Sequence, residues 1–169
     1  MVRGDKCILA ALSADGCMPF LTAIIHTHND ALRIGRAIES LRPCDEVLIV
    51  DHHSSDRTVA VARQFGGRVL LAGEKFLEQV QHDWILALLP NESSAEAMEA
   101  ALFEWKNTEP SARQSFSLRL LEEVEGGWQE LPAETRLVHR RQTVWTGSLP
   151  AQRRDSLGLD GYLLRFRHP

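Results

Sequence analysis

The chain lacks the features that would place it across a membrane, in a disulfide scaffold or along a nucleic acid. No apolar stretch approaches the roughly 18 residues that a spanning helix requires, so no membrane span is expected. Arg3 and Lys6 precede a short apolar run, Cys7 to Leu12, which is shorter than a secretory core and has no small-residue cleavage site in the usual place, so no signal peptide is read. Cysteine is scarce and odd in number. Cys7, Cys17 and Cys44 form no CxxC pair, which argues against a disulfide framework or structural zinc and makes a reducing, cytoplasmic setting the expectation. Charge of one sign is also missing: 19 Lys and Arg against 23 Asp and Glu leave −4, no footprint for nucleic acid or an anionic membrane. There is no internal repeat, no low-complexity tract, and no Ser and His that the sequence ties together as a nucleophilic pair.

What is present suits one packed domain. Hydrophobic residues make up 44% and charged residues 25% of 169, enough for a core and far from the composition of a disordered chain. Residues 1–17 end in Ser13-Ala14-Asp15-Gly16 and read as an extension; a single domain is expected over 18–169. From Leu21 the pattern alternates. Apolar runs at Leu21–Ile25, Val47–Val50, Arg68–Leu71 and Trp84–Leu88 read as buried strands, and the segments between them read as helices over Asn29–Leu41, from Ser54 to Phe65, and over Glu74–Gln81. Strands without in–out alternation, separated by amphipathic helices, imply an α/β fold with a parallel sheet covered on both faces. Ser93 and Ser94 can cap a helix over Ala95–Trp105. Beyond Pro110 the grammar changes to strands at Ser115–Leu121, Thr135–Arg140, Thr143–Trp145 and Tyr162–Phe166, with a turn at Gly126-Gly127.

In an open parallel sheet, ligands bind beyond the carboxyl ends of the strands. Three such ends are crowded with polar groups: His26-Thr27-His28-Asn29-Asp30, Asp51-His52-His53-Ser54-Ser55-Asp56, and Leu89-Pro90-Asn91-Glu92. The order and spacing of Leu21 to Asp30, Ile34 to Leu41 and Glu46 to Thr58 resemble the family 2 glycosyltransferases, and Asp83 to Leu88 looks like the strand ahead of that family's Asp-x-Asp motif. The resemblance implies a Rossmann-like GT-A fold, a mainly parallel central sheet flanked by helices with a β-rich C-terminal portion. It also implies a nucleotide-sugar donor held by His26, His28, Asp30, Asp51 and His52, an acceptor, and Mg²⁺ or Mn²⁺ at the motif. Here the motif falls on Leu89-Pro90-Asn91. Leucine cannot ligate a hard cation and Asn91 offers a neutral oxygen, which leaves Glu92 as the sole carboxylate for the diphosphate or ion region. Ala133 to Arg140 resembles the family's Asp-x-Arg-Leu-x-x-Arg segment, which makes Glu134 the candidate acceptor-activating base.

Other readings stand beside this one. His26, His28, His52 and His53 leave two strands that, if adjacent, would gather four imidazoles suited to a transition metal, provided the first strand runs on through His28; solvated loop histidines are the plainer alternative. A non-catalytic scaffold that keeps the fold and pairs as a homodimer through its β-rich half is a further alternative. Ser54, Ser55 and Asp56 read as helix caps, and Arg136, His139, Arg140 and Arg141 as a solvated strand edge. The four tryptophans read as core or rim packing, with Trp128 and Trp145 also placed to line an acceptor groove.

Overall fold

The computed structural model describes residues 18–73 and 75–169. The expected extension, with Cys7 and Cys17, lies outside the described residues. The first half alternates strand and helix: β1 (Leu21–Thr27), α1 (Ile34–Glu39), β2 (Glu46–Asp51), α2 (Thr58–Gln64), β3 (Arg68–Leu71), α3 (Phe76–Gln79) and β4 (Trp84–Leu88). β5 (Glu92–Ser94) and α4 (Glu96–Lys106) follow, and then β6 (Ser115–Val124), β7 (Gly127–His139), β8 (Trp145–Thr146), β9 (Leu149–Pro150) and β10 (Leu157–Arg165). Every residue of β1 and of β4 is buried, as unbroken apolar runs with cover on both faces demand.

One eight-stranded sheet runs β3-β2-β1-β4-β7-β6-β10-β5. The first four strands are parallel, and β7 enters antiparallel between β4 and β6. β4 and β5 lie four positions apart in this order, about 19 Å in a flat sheet. Yet only Leu89, Pro90 and Asn91 separate them, in a tight turn closed by Glu92 N–H donating to the Leu89 carbonyl at 3.0 Å. The sheet must therefore curl until its last strand returns to the end of β4.

The two faces are covered unequally. α1, α2, α4 and the curled strands enclose the larger core, in which Ile34, Ile38, Met98, Leu102, Trp105, Leu118 and Leu163 meet Ile25, Ile49 and Leu86. On the other face Ile24, Leu48, Val50 and Ile85 are covered by the single turn of α3 and by Trp145. Gly35 permits the close approach of α1 to α2, because a Cβ there would sit 2.9 Å from the Phe65 ring. Gly161, at φ +91°, forms part of an irregularity in β10 that lets the start of α4 press against the strand.

Several boundaries differ from the sequence reading, each for a local reason. α1 starts at Ile34 rather than Asn29, because Asn29 takes a left-handed φ of 56° and residues up to Arg33 form a turn on the Asp30 carbonyl. α2 starts at Thr58 rather than near Ser54, whose hydroxyl accepts the Asn29 N–H instead. Ser93 and Ser94 do not cap α4; they form β5, paired with Leu164 and Leu163 of β10. Cys44 is a free thiol.

Candidate functional site

The carboxyl ends of β1 and β2 are neighbours, with Thr27 in register with Asp51. Their loops are laced together through Asn29. Its side-chain carbonyl accepts the Ser55 N–H at 2.8 Å and the Asp56 N–H at 3.3 Å, while its own N–H reaches Ser54 Oγ at 2.9 Å. Asp30 Oδ2 accepts from the Thr27 hydroxyl and the His28 N–H, and the Asp30 N–H donates to Thr58 Oγ1 at 2.8 Å. Asp51 Oδ2 accepts the Ser54 N–H, but its Oδ1 is buried without a partner among the described residues. The structure thus brings Asp30 and Asp51 to one edge, with each giving one oxygen to its own loop.

The histidines fall into different roles. Asn29 Oδ1 is an acceptor, so its Nδ2 is the donor that reaches His28 Nε2 at 3.1 Å, and His28 Nδ1–H then donates to the His52 carbonyl at 2.7 Å. That network holds the His28 ring at both nitrogens. His26 is on the thinly covered face, 7% exposed, with Nδ1 2.9 Å from His52 Nε2. Its ring meets Phe76 edge-on at 4.8 Å and lies 6.3 Å from Trp145. Burial, reinforced by the neighbouring His52, pulls the His26 pKa down to about 4. Its Nε2 is buried without a partner among the described residues, as is Trp145 Nε1. His53 is exposed at a left-handed φ of 59°. β1 ends at Thr27, short of His28, and among the described residues no three His, Cys, Asp or Glu groups are arranged to hold a metal ion. The four-histidine ligand set is therefore not assembled: it resolves into a hydrogen-bonded pair of which only His26 is buried, a locked ring and a solvated one.

At the third polar end, Leu89-Pro90-Asn91-Glu92 is the turn from β4 to β5. Glu92 is wholly buried and accepts five hydrogen bonds: two from Arg165, two from Arg136 and one from the Leu89 N–H, all between 2.9 and 3.0 Å. Arg136 also donates to the Ala87 carbonyl and, through Nε and Nη2, to Glu134 Oε2 at 3.0 and 2.7 Å. Glu134 Oε1 takes a bond from Arg165 at 3.2 Å. Two carboxylates and two guanidiniums thus form a neutral cluster that ties β5, β7 and β10 at the closure of the curl. Arg136, read from the sequence as part of a solvated strand edge, is 0% exposed. Nothing in the Thr135–Arg140 pattern distinguishes it; the return of β5 supplies Glu92, its fully buried partner. Arg140 keeps the expected edge position, paired with Asp83 at 2.8 Å.

A divalent cation does not fit this turn. Leu89 and Pro90 have no ligating side-chain atom, Asn91 Nδ2 donates to the Phe166 carbonyl at 3.0 Å, and Glu92 already accepts hydrogen bonds at both oxygens. Glu134 likewise has both oxygens on arginines, which makes it a member of the charge cluster rather than a free base. Of the two tryptophans with a place beside a possible groove, Trp145 packs inward on Phe76 at 5.3 Å. Trp128 is 45% exposed and stands edge-on to Phe166 at 5.4 Å.

The family description that matches this chain is glycosyl transferase family 2, over residues 22–85, the stretch that builds β1 to β4 and the laced loops. Over that stretch the chain is similar to family 2 glycosyltransferases. An uncharacterised glycosyltransferase of Rickettsia felis is 38% identical over 91 residues, which are 48% of this chain and 32% of that relative. One of Rickettsia bellii is 36% identical over 88 residues, 47% of this chain and 30% of its own. The glycosyltransferase-like chain therefore spans about a third of the length of the curated relatives it matches. Among solved structures, a mycobacterial protein superimposes over 88% of this chain and 65% of its own, with a TM-score of 0.54 at 14% identity, a likeness of fold alone. The curled, mostly parallel sheet with its strand-rich C-terminal part is the GT-A, Rossmann-like architecture. Among the described residues no helix is long and apolar enough to cross a membrane.

Proposed function

We propose that this glycosyltransferase-like chain binds a nucleotide-diphospho-sugar at the carboxyl ends of β1, β2 and β4 and serves sugar transfer to an acceptor without a divalent cation. The observation that carries the reading is a pair of buried polar atoms, Asp51 Oδ1 and His26 Nε2, that find no partner among the described residues at adjacent strand ends. Buried polar groups are almost always hydrogen-bonded, and an unmade bond costs about 1–3 kcal/mol, so such atoms mark places that a ligand or water completes. Asp51 is an acceptor for a sugar or ribose hydroxyl. His26, neutral, offers one ring nitrogen to a polar edge. His28 and His52 present their rings at the mouth of the same loops, and Asp30 holds the first loop in shape. A cytoplasmic setting goes with a nucleotide-sugar donor and belongs to the same proposal.

The test is calorimetric titration of the full chain with UDP-, GDP- and TDP-sugars, with EDTA and again with Mn²⁺. Binding of at least one donor in EDTA, weakened by Asp51→Asn, is expected. Absence of binding to all of them in both conditions removes this reading.

A second reading is a non-catalytic scaffold that pairs as a homodimer; two observations favour the loss of chemistry, Phe76 and Trp145 closing over His26 and Glu134 being neutralised by arginines. Light scattering that shows a dimer, together with no donor binding, is its expected signature; a monomer that turns over a nucleotide-sugar eliminates it.

A further inference from the structure

The turn that replaces the metal motif is flanked by a cation that has no counter-charge among the described residues. Phe166 is strapped to Asn91 on both sides, its N–H donating to the Asn91 carbonyl at 2.9 Å and its carbonyl accepting from Asn91 Nδ2 at 3.0 Å. The guanidinium carbon of Arg36, on α1, lies 3.6 Å from the centre of the Phe166 ring. Arg36 thus sits one aromatic ring away from the Leu89–Glu92 turn.

The surrounding charges are already matched. Glu92 and Glu134 are taken by Arg136 and Arg165, and Asp30 lies 3.9 Å from Arg33. Among the described arginines that are buried or half-buried, Arg33, Arg68, Arg119, Arg136, Arg140, Arg153 and Arg165 each have a carboxylate within 4.0 Å. Arg36 alone of that set has neither a carboxylate nor a hydrogen bond among the described residues, and its Nη2 is buried without a partner. Stacking on Phe166 stabilises the cation through the ring face, but the N–H donors lie in the guanidinium plane and are left over. A planar, weakly hydrated fork of donors with no internal acceptor is matched by phosphate oxygens, which accept two parallel N–H bonds and carry the opposite charge.

We propose that Arg36, held by Phe166 beside the Leu89–Glu92 turn, is a metal-free phosphate-binding position that supplies by guanidinium the positive charge for which this turn has no cation ligands. The ligand is a phosphate or diphosphate group. It rests on the nucleotide-sugar reading only for the source of that group, which is either the donor's diphosphate or a free phosphate.

The experiment titrates inorganic pyrophosphate and, separately, UDP into the full chain in EDTA, for the wild type, Arg36→Met and Arg36→Lys. Met keeps the stem packing without the charge, and Lys keeps the charge without the fork. Pyrophosphate binding that falls at least tenfold in Arg36→Met and less in Arg36→Lys, with the melting temperature of the Met variant not lowered, is the expected result. If Arg36→Met does not fold, the Lys variant together with Phe166→Leu, which removes the support under the guanidinium, must each weaken pyrophosphate several-fold. Equal binding by wild type and variants overturns the proposal, as does binding that appears only on adding Mn²⁺. UDP bound in EDTA but indifferent to Arg36 leaves the donor reading standing and this inference refuted. Pyrophosphate bound through Arg36, with no gain from the nucleoside in UDP, upholds this inference and counts against the donor reading. A wild type that binds neither refutes this inference and leaves the donor reading to the GDP- and TDP-sugar titrations.

Discussion

At the scale of single residues, the burial of His26 and of Glu92 each has a testable consequence. His26 titrates near 4 when folded, against an ordinary value of 6.5, because burial and then His52 disfavour its charged form. Between about pH 6.5 and pH 4 the unfolded chain therefore holds a proton that the folded chain refuses, so stability falls as pH falls through that window, by up to about 3 kcal/mol. Urea denaturation at a series of pH values is expected to show this slope, and His26→Gln is expected to flatten it; an unchanged slope in the variant would mean that another group titrates. Glu92 is the counterpart in the charge cluster. Glu92→Gln leaves two guanidiniums without their buried carboxylate and is expected to cost about 3 kcal/mol or more by chemical denaturation, whereas Glu134→Gln, at a side chain 27% exposed, should cost clearly less. Asp51 and Glu92 are both legible in the sequence as polar residues at strand ends. The sequence cannot separate them, because one has an oxygen left over and the other has none only once Arg136 and Arg165 are placed.

Among the elements, the site depends on two loops that hold each other rather than on helices. α1 and α2 begin later than their patterns suggest because Asn29 and Ser54 bond across the gap between the loops instead of along their own helices, while Asp56 does both, its Oδ2 accepting the Ala31 N–H across the gap and its Oδ1 the Thr58 N–H at the start of α2. Local propensity reads Ser54-Ser55-Asp56 as a cap. The partner that displaces the helix lies about 25 residues away in sequence, at the end of a neighbouring strand, and such side-chain bonds to backbone compete directly with helical pairing. Asn29→Ala removes the central acceptor and places alanine at a left-handed φ, and is expected to cost about 2 kcal/mol. Asn29→Gly relieves the backbone but not the lost bonds, so it should recover part of that. Amide exchange at Ser55 and Asp56 checks the cause: both should exchange faster in either variant, while amides in β4 should not change.

For the molecule as a whole, the curl of the sheet decides what the chemistry can be. Bringing β5 back to the end of β4 places two arginines on the carboxylate nearest the motif, so the turn that would hold a cation holds an internal ion cluster instead. An excess of Mn²⁺ is therefore expected to leave the melting temperature of the chain unchanged; a rise that EDTA reverses would show a metal site that this arrangement does not provide. The strand–helix alternation from Leu21 to Leu88, the parallel core and the strand-rich second half follow from the sequence alone, because unbroken apolar runs and helical periodicity are local properties. The loss of carboxylates at Leu89-Pro90-Asn91 is equally a matter of sequence. The separation of the four histidines, the burial of Arg136, the engagement of Glu134 and the isolation of Arg36 were decided by tertiary structure, since each depends on which distant side chain arrives at hydrogen-bond distance, and no local pattern encodes that arrival.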